Sequence, residues 1–212
     1  VAVVDLPKDV QQALGNDFYP EQIELRSYRP NSSVHSGQIK KSLECLKNAE
    51  RPVFLLGGGV NIAHANKEMT SLAEKTGIPV VTTIMGKGAI PTEHPLYVGN
   101  LGVHGSYAAN TAISECDVLF AIGVRFSDRI TGRVSEFAKK AAVIHADIDP
   151  ASISKNIAVD IPIVADAKNV IKVLLEMDYD YNIEDWQKQV DFWKKERLPV
   201  WLQQQLFCFI AT

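Results

Sequence analysis

Short, nearly continuous apolar runs alternate with amphipathic segments through the middle of the chain, and this alternation limits the possible folds most strongly. The apolar runs predict strands at residues 52–56, 78–82, 118–122, 142–146 and 161–164. The amphipathic segments predict helices at residues 38–49, 58–75, 106–115 and 167–177. Strands that are apolar on both faces are typical of parallel sheets, whose crossover helices pack on either side. We therefore predict an α/β fold, a doubly wound, mainly parallel sheet of about five or six strands with helices on both faces.

The two ends of the chain do not follow this pattern. Residues 1–10 begin with an apolar run stopped by Pro7, which predicts a short strand. Residues 11–37 are rich in proline, serine and asparagine and predict a linker that leads into the first helix. Residues 184–197 predict a charged helix, whereas residues 198–212 fit no element of this fold.

Composition excludes several classes of function. The 25 acidic and 22 basic residues are spread along the chain, so no basic stripe exists for nucleic acid. No apolar run approaches the roughly 20 residues of a transmembrane helix, and the first residues do not show the basic segment, apolar region and cleavage site expected of a signal peptide. The three cysteines are isolated, and the five histidines do not fall at metal-ligand spacings. We expect a cytoplasmic protein with no nucleic-acid, membrane or metal partner.

The predicted strand at residues 52–56 ends in Gly57, Gly58 and Gly59, which also open the next helix. In parallel sheets, ligands bind beyond the carboxyl ends of the strands, and a helix amino terminus attracts phosphate. The segment is not a G-x-G-x-x-G fingerprint, because Ile62 occupies the third glycine position and Thr83 stands where an acidic residue is expected. A pyrophosphate cradle and a tight turn without a ligand therefore both remain open.

Charged side chains follow two further strands. Arg125 and Arg129 come after residues 118–122, where their guanidinium groups suit phosphate or carboxylate, although a salt bridge to Asp128 or Glu136 would equally explain them. Asp147 and Asp149 follow residues 142–146 and suit ribose hydroxyls.

Other polar residues have equally open roles. The alternative for Asp149 is a helix cap before Pro150, and Asp166 has the same two interpretations. His104 lies between Gly102 and Gly105 and is either a ligand contact or a structural loop residue. Taken together, these groups favour a nucleotide site at one edge of the sheet.

Five segments resemble the catalytic subunit of the acetohydroxyacid synthase (acetolactate synthase) family in order and spacing. They are Phe54-Leu-Leu-Gly-Gly-Gly59, Val81-Thr-Thr-Ile-Met-Gly-Lys-Gly88, Asn100-Leu-Gly-Val-His-Gly105, Gly123-Val-Arg-Phe-Ser-Asp-Arg-Ile-Thr-Gly132 and Ile144-His-Ala-Asp-Ile-Asp149. The resemblance runs from residue 1 to about residue 197. It implies that residues 1–10 end a pyrimidine-binding domain, 11–37 form a linker, 38–180 form the central FAD-binding domain, and 181–212 hold a helix and a tail that is not native.

The resemblance also implies a function. Members of the family condense pyruvate with a second pyruvate or with 2-ketobutyrate on thiamine diphosphate and Mg²⁺, in branched-chain amino acid biosynthesis. Both of these cofactors are held by other domains, so we expect a flavoprotein fragment that binds FAD but is inactive alone. The expected partners are the ketoacid substrates, further catalytic subunits in a homo-oligomer, and a regulatory subunit.

Individual positions carry over in the same way. Arg129 would hold the carboxylate of the second ketoacid. The implied FAD contacts are Gly57, Gly58, Gly59, Thr83, Ile84, Met85, His104, Gly123, Arg125, Asp147, Ile148, Asp166 and Ala167. Two positions depart from the family, which often has methionine at Val103 and aspartate at Ser127.

Two other classes of protein compete with this interpretation. One is a self-standing nucleotide-binding module of the electron-transfer flavoprotein or sirtuin type. The other is the central domain of another thiamine diphosphate enzyme, such as pyruvate oxidase or glyoxylate carboligase. The R-F-S-D-R element at residues 125–129 counts against the first of these.

Overall fold

The computed structural model describes residues 3–16, 21 and 33–196 of the chain. Six strands form one sheet in the order β3-β2-β1-β4-β5-β6, and every neighbouring pair is parallel. The strands are β1 (Pro52–Leu56), β2 (Val80–Thr82), β3 (Tyr97–Asn100), β4 (Val118–Ile122), β5 (Ala142–Asp147) and β6 (Ile161–Val164). This confirms the predicted doubly wound parallel sheet. The strand order reverses between β1 and β4, which places a switch point at the centre of the sheet.

The described residues form eight α-helices. They are α1 (Lys8–Gln12), α2 (Ser36–Lys47), α3 (Gly58–Ile62), α4 (Asn66–Thr76), α5 (Tyr107–Glu115), α6 (Asp128–Thr131), α7 (Ala167–Leu175) and α8 (Glu184–Lys195). Three short 3₁₀ turns lie at Ile84–Gly86, Val134–Glu136 and Pro150–Ser152. No helix within the described ranges has the length and apolar character needed to cross a membrane.

The core is centred on β1 and β4, whose residues are all buried. Apolar side chains at every position leave both faces of these strands away from water, as parallel strands between two helix layers require. The Phe54 and Phe120 rings lie 5.7 Å apart on neighbouring strands and fill one face of this centre. Burial on both faces makes the carboxyl ends of β1 and β4 a rigid base for the loops that follow.

The prediction of a strand within residues 1–10 is wrong for the part of it that the structure describes. Val3, Val4 and Leu6 are 90%, 76% and 60% exposed, and α1 begins directly after Pro7. An apolar run becomes a strand only where a neighbouring strand accepts its backbone hydrogen bonds, and none lies beside this segment in the described residues. The fixed φ of proline suits the start of a helix instead.

The single helix predicted over residues 58–75 is also wrong, because the chain forms α3 and α4 with a break between them. His64 adopts a left-handed φ of 50° at the break. The side chain of Asn66, in the first turn of α4, donates to the Gly88 carbonyl at 2.8 Å, and that of Lys168 donates to the His64 carbonyl at 2.9 Å. Such distant contacts outweigh local helix propensity. The sequence also did not predict β3, whose Gly99 has a φ of 142°.

The charged helix predicted near the carboxyl end is present as α8 and packs on the same core. Trp186 is 4% exposed, and its indole Nε1–H donates to the Pro52 carbonyl at 3.0 Å. Gln187 donates to the Gly77 carbonyl at 2.7 Å. These bonds attach α8 to the segments that enter β1 and β2. The tail expected at residues 198–212 lies outside the described residues.

Candidate functional site

A cleft lies beyond the carboxyl ends of β1, β2, β4 and β5, across the switch point of the sheet. Its cavity volume is about 560 Å³. The residues that line it are Gly57, Gly58, Gly59, Ile62, Thr83, Ile84, Met85, Gly123, Val124, Arg125, Phe126, Ser127, Arg129, Ile130, Asp147, Ile148, Asp149 and Ser152. Most of the residues singled out from the sequence therefore meet in one place.

Glycines at the base of the cleft bring two loops into backbone contact. A Cβ on Gly57 would lie 2.0 Å from the Gly123 carbonyl oxygen, and one on Gly59 would lie 2.6 Å from Gly123 Cα. Gly123 itself has a φ of 63°, a conformation that favours glycine. These glycines are required by packing alone, so the tight-turn interpretation holds for them irrespective of a ligand.

The backbone N–H groups of these glycines are mostly occupied. Gly57 donates to the Ile122 carbonyl at 3.0 Å, and Gly59 donates to the Gly123 carbonyl at 3.2 Å. Among Gly57, Gly58 and Gly59, only Gly58 has a backbone N–H without a partner in the described part of the chain. A ligand would thus find one N–H donor here, fewer than the full cradle of a phosphate-binding loop supplies.

The turn after β2 presents an apolar surface to the cleft. Ile84 and Met85 are each 68% exposed. The turn is fixed from below, because Asn61 Nδ2 donates to the Met85 carbonyl at 2.9 Å and Thr83 Oγ1 accepts from the Gly86 N–H at 3.1 Å. Large apolar side chains held at the surface by a rigid turn are suited to contact a flat apolar group.

Two arginine side chains from the segment after β4 line one wall of the cleft and form no ion pair within the described residues. Arg125 and Arg129 are both exposed, and neither forms an ion pair with any residue that the structure describes. The salt bridges to Asp128 or Glu136 that offered an alternative explanation are therefore not formed. Glu136 pairs with Lys139 at 3.3 Å, and Asp128 Oδ1 accepts the Arg129 backbone N–H at 2.9 Å. Both arginine side chains remain available to an anion.

His145, on β5, lies beneath this wall and is fully buried. Its Nε2 lies 2.8 Å from the Val124 carbonyl oxygen, so the ring donates from Nε2. Its Nδ1 is buried without a partner in the described residues. Burial lowers the pKa of His145, and the nearby Asp147 carboxylate only partly opposes this shift. The ring is thus a neutral structural support.

Asp147, the last residue of β5, and Asp149 supply two carboxylates that differ in how far protein donors occupy their oxygens. Asp147 Oδ1 accepts the Asp149 N–H at 2.9 Å, and its Oδ2 lies 3.8 Å from His145 Nε2. Asp149 Oδ1 accepts the Ala151 N–H at 2.9 Å and caps the 3₁₀ turn at Pro150–Ser152, while its Oδ2 accepts the Ser152 hydroxyl at 3.2 Å. Asp149 therefore takes the capping role, and Asp147 is the better placed to accept a hydroxyl.

Three of the sequence-derived candidates do not line the cleft. Asp166 caps α7 by accepting the Lys168 and Asn169 N–H groups, and Ala167 is buried at the start of that helix. His104 is exposed on the loop after β3, whose neighbouring Val103 N–H donates to the Arg129 carbonyl at 3.1 Å. The loop is thus tied to the Arg129 segment by its backbone.

The sequence did not single out Asn156, which supports the arginine wall. Its Nδ2 donates to the carbonyls of both Arg125 and Phe126 at 3.0 Å. A lone asparagine in a polar connection carries no motif, so no sequence pattern indicated this contact.

Within the described residues no group of histidine, cysteine or acidic side chains is arranged to hold a metal ion.

Comparison with known proteins gives the family of this fold. Residues 39–174 match the family model described as thiamine pyrophosphate enzyme, central domain. A probable acetolactate synthase large subunit of Methanocaldococcus jannaschii is 49% identical over 203 residues, which cover 93% of this chain and 34% of that protein. The acetolactate synthase isozyme 3 large subunit of Escherichia coli is 41% identical over 201 residues, covering 91% of this chain and 35% of that protein.

A third relative agrees with these two. The acetolactate synthase large subunit of Corynebacterium glutamicum is 46% identical over 201 residues, covering 93% of this chain and 32% of that protein. The chain thus spans about a third of the length of the curated relatives it matches, 34% of the first of them. Because the family model covers most of the described sheet, the chain belongs to the family of thiamine pyrophosphate enzyme central domains.

Proposed function

We propose that this chain is the central domain of an acetolactate synthase large subunit that condenses two 2-ketoacids on thiamine diphosphate and Mg²⁺. The names of three relatives at 41–49% identity support this function over pyruvate oxidase or glyoxylate carboligase chemistry. In this proposal the domain binds FAD in the cleft and takes no chemical step itself. The observation that carries it is the pair of free arginines at the mouth of a cleft built on the sheet switch point.

The cleft residues fit the parts of FAD. The exposed Arg125 guanidinium and the free Gly58 N–H suit the diphosphate, since both are donors without a competing partner. Asp147 suits a ribose hydroxyl, and the exposed Ile84 and Met85 suit a flat ring. When bound, FAD supplies structural support at the domain surface, as it does in the resembled family.

Arg129 has a separate role in the proposal. Its side chain is exposed on α6, and the backbone of the short helix is fixed by the Val103 N–H at its carbonyl oxygen. A planar guanidinium that extends from such a fixed backbone offers two parallel donors to a carboxylate. We assign it the carboxylate of the second ketoacid in the full-length enzyme.

The proposal extends to partners and location. The relatives are named large subunits, which supports a smaller regulatory subunit as a partner of the full-length protein. We also propose a homo-oligomer of catalytic subunits in the cytoplasm. A reducing compartment is consistent with the free thiols of Cys45 and Cys116, the two cysteines among the described residues.

Ligand titration of the 212-residue chain tests the FAD assignment. We expect FAD, followed by quenching of its fluorescence, to bind more tightly than NAD. Arg125→Ala should weaken FAD binding about tenfold through loss of a charge-assisted contact, whereas Arg133→Ala, an exposed arginine outside the cleft, should not. Tighter binding of NAD would instead support a self-standing nucleotide module, and binding of neither ligand would contradict the FAD assignment.

A further inference from the structure

The loop between β4 and α6 is held by its carbonyl groups in an unusual way. Three successive carbonyl oxygens, those of Val124, Arg125 and Phe126, each accept a hydrogen bond from a side chain. His145 Nε2 lies 2.8 Å from the first, and Asn156 Nδ2 donates to the other two at 3.0 Å each. An amide NH₂ has two hydrogens, so Asn156 satisfies both carbonyls at once.

Phe126 shows what these bonds achieve. Its φ is 47°, a left-handed value that bulky side chains rarely adopt, and its ring is only 2% exposed. The ring packs edge-on against His145 at 4.9 Å and Phe137 at 5.9 Å. A strained backbone of this kind persists only where the surroundings fix it from several sides. Ring packing fixes the side chain, and Asn156 fixes the peptide groups on either side of the Phe126 Cα.

Arg125 lies immediately before this strained residue. Its side chain is exposed in the cleft wall and forms no ion pair with any described residue, so no side-chain contact of that kind fixes its direction. The backbone therefore sets the direction in which this side chain leaves its Cα, since the Val124 carbonyl is held on one side and the Arg125 and Phe126 carbonyls on the other. Loss of the two hydrogen bonds from Asn156 would let the Phe126 backbone leave its left-handed conformation, which would redirect the Arg125 guanidinium.

We propose that Asn156 is a positioning residue, which keeps Phe126 left-handed and thereby points Arg125 into the cleft. This inference rests on the proposed binding of FAD for its functional consequence, but its structural part is independent of any ligand. This role differs from the one proposed for Arg129, because Asn156 contacts no ligand and acts only through a neighbouring backbone.

Asn156→Ala tests the structural part on the ligand-free chain. Asn156 is itself exposed, so its removal leaves the core in place. The ¹³Cα and ¹³Cβ chemical shifts of Phe126, which report φ, should move away from left-handed values in the variant. Asn48→Ala is the matched control, since Asn48 also donates from Nδ2 to a backbone carbonyl, at 2.9 Å, on a helix end outside the cleft. Unchanged Phe126 shifts in Asn156→Ala would overturn the proposal.

A double-mutant cycle tests whether Asn156 acts through Arg125. Asn156→Ala should weaken FAD binding about tenfold, while Asn156→Ala combined with Arg125→Ala should bind no more weakly than Arg125→Ala alone. A general loss of structure would make the two effects add, and additivity would overturn the positioning role. If the unsubstituted chain binds no FAD, the proposed function fails, and the Phe126 chemical shifts still decide whether Asn156 orients the loop.

Discussion

At the scale of single residues, the cleft separates groups needed for packing from groups left for a ligand. Close contact between two loops requires glycine at positions 57, 59 and 123, since a Cβ on Gly57, Gly59 or Gly123 would lie within 2.6 Å of backbone. In contrast, the guanidinium groups of Arg125 and Arg129 and the N–H of Gly58 have no partner among the described residues. A polar group left unpaired at a rigid strand end is the better indicator of binding.

Arg129→Lys in the full-length enzyme should impair use of the second ketoacid more than decarboxylation of the first. Lysine keeps the charge but loses the bidentate fork, which is worth roughly 1.5–3 kcal/mol in a desolvated pair, or about ten- to a hundredfold in acceptor binding. The measurement is the acetolactate rate together with the preference for 2-ketobutyrate over pyruvate. Arg133→Lys is the control, because Arg133 is exposed four positions later and does not line the cleft. If Arg129→Lys behaved like this control, Arg129 would be an ordinary surface arginine.

At the scale of secondary structure, helix placement decides which loop surfaces reach the cleft. Asn61 on α3 and Asn66 at the start of α4 both donate to the turn after β2, at the Met85 and Gly88 carbonyls. The break between α3 and α4 places these two side chains side by side, 2.8 Å apart. The apolar Ile84 and Met85 are therefore held at the surface by a helix interruption that local propensity does not predict.

Trp186→Phe should lower the free energy of unfolding by about 1–3 kcal/mol, because the buried Pro52 carbonyl loses its donor while most apolar contact remains. Urea unfolding of the chain, followed by circular dichroism, measures this. Trp193→Phe is the matched control, since Trp193 packs edge-on against Trp186 at 5.5 Å but its indole N–H donates to no residue that the structure describes. Equal losses in the two variants would contradict the attachment of α8 through the Trp186 N–H.

At the scale of the whole molecule, one buried histidine links overall stability to pH. Burial lowers the pKa of His145 in the folded chain, so near neutral pH the unfolded chain binds the proton more readily than the folded chain. The contribution of neutral His145 to the free energy of unfolding is complete above its unfolded-state pKa of about 6.5. This contribution is lost as pH falls from there through the lower folded-state pKa.

We therefore expect the free energy of unfolding to be lower at pH 5.5 than at pH 7.5, and His145→Gln to remove part of that difference. Glutamine retains an N–H donor for the Val124 carbonyl but does not titrate. Urea titrations of both chains at the two pH values measure the effect. An identical pH dependence in the two chains would show that His145 is not responsible.

Much of the fold can be predicted from the sequence, because a short run of apolar residues indicates a buried strand. The runs at 52–56, 118–122 and 161–164 became strands with the same bounds. The first two are buried at every position, as strands between two helix layers require, whereas the edge strand at 161–164 is fully buried only at Ile163. The glycines and charged residues after them predicted which edge of the sheet holds the cleft, because parallel strands all end on one side.

Tertiary structure decided the rest, because it depends on contacts between residues distant in the chain. The apolar start of the chain formed no strand in the described residues, since a strand requires a partner that local sequence does not supply. Asn156 reaches a loop 31 residues away, and Trp186 reaches a carbonyl 134 residues away. The occupied N–H groups of Gly57 and Gly59 likewise depend on β4.

The sequence by itself therefore determined the layers of the fold and the edge that carries the cleft. Only the folded chain decided which polar groups at that edge remain free, because each is left over after long-range packing has used its neighbours.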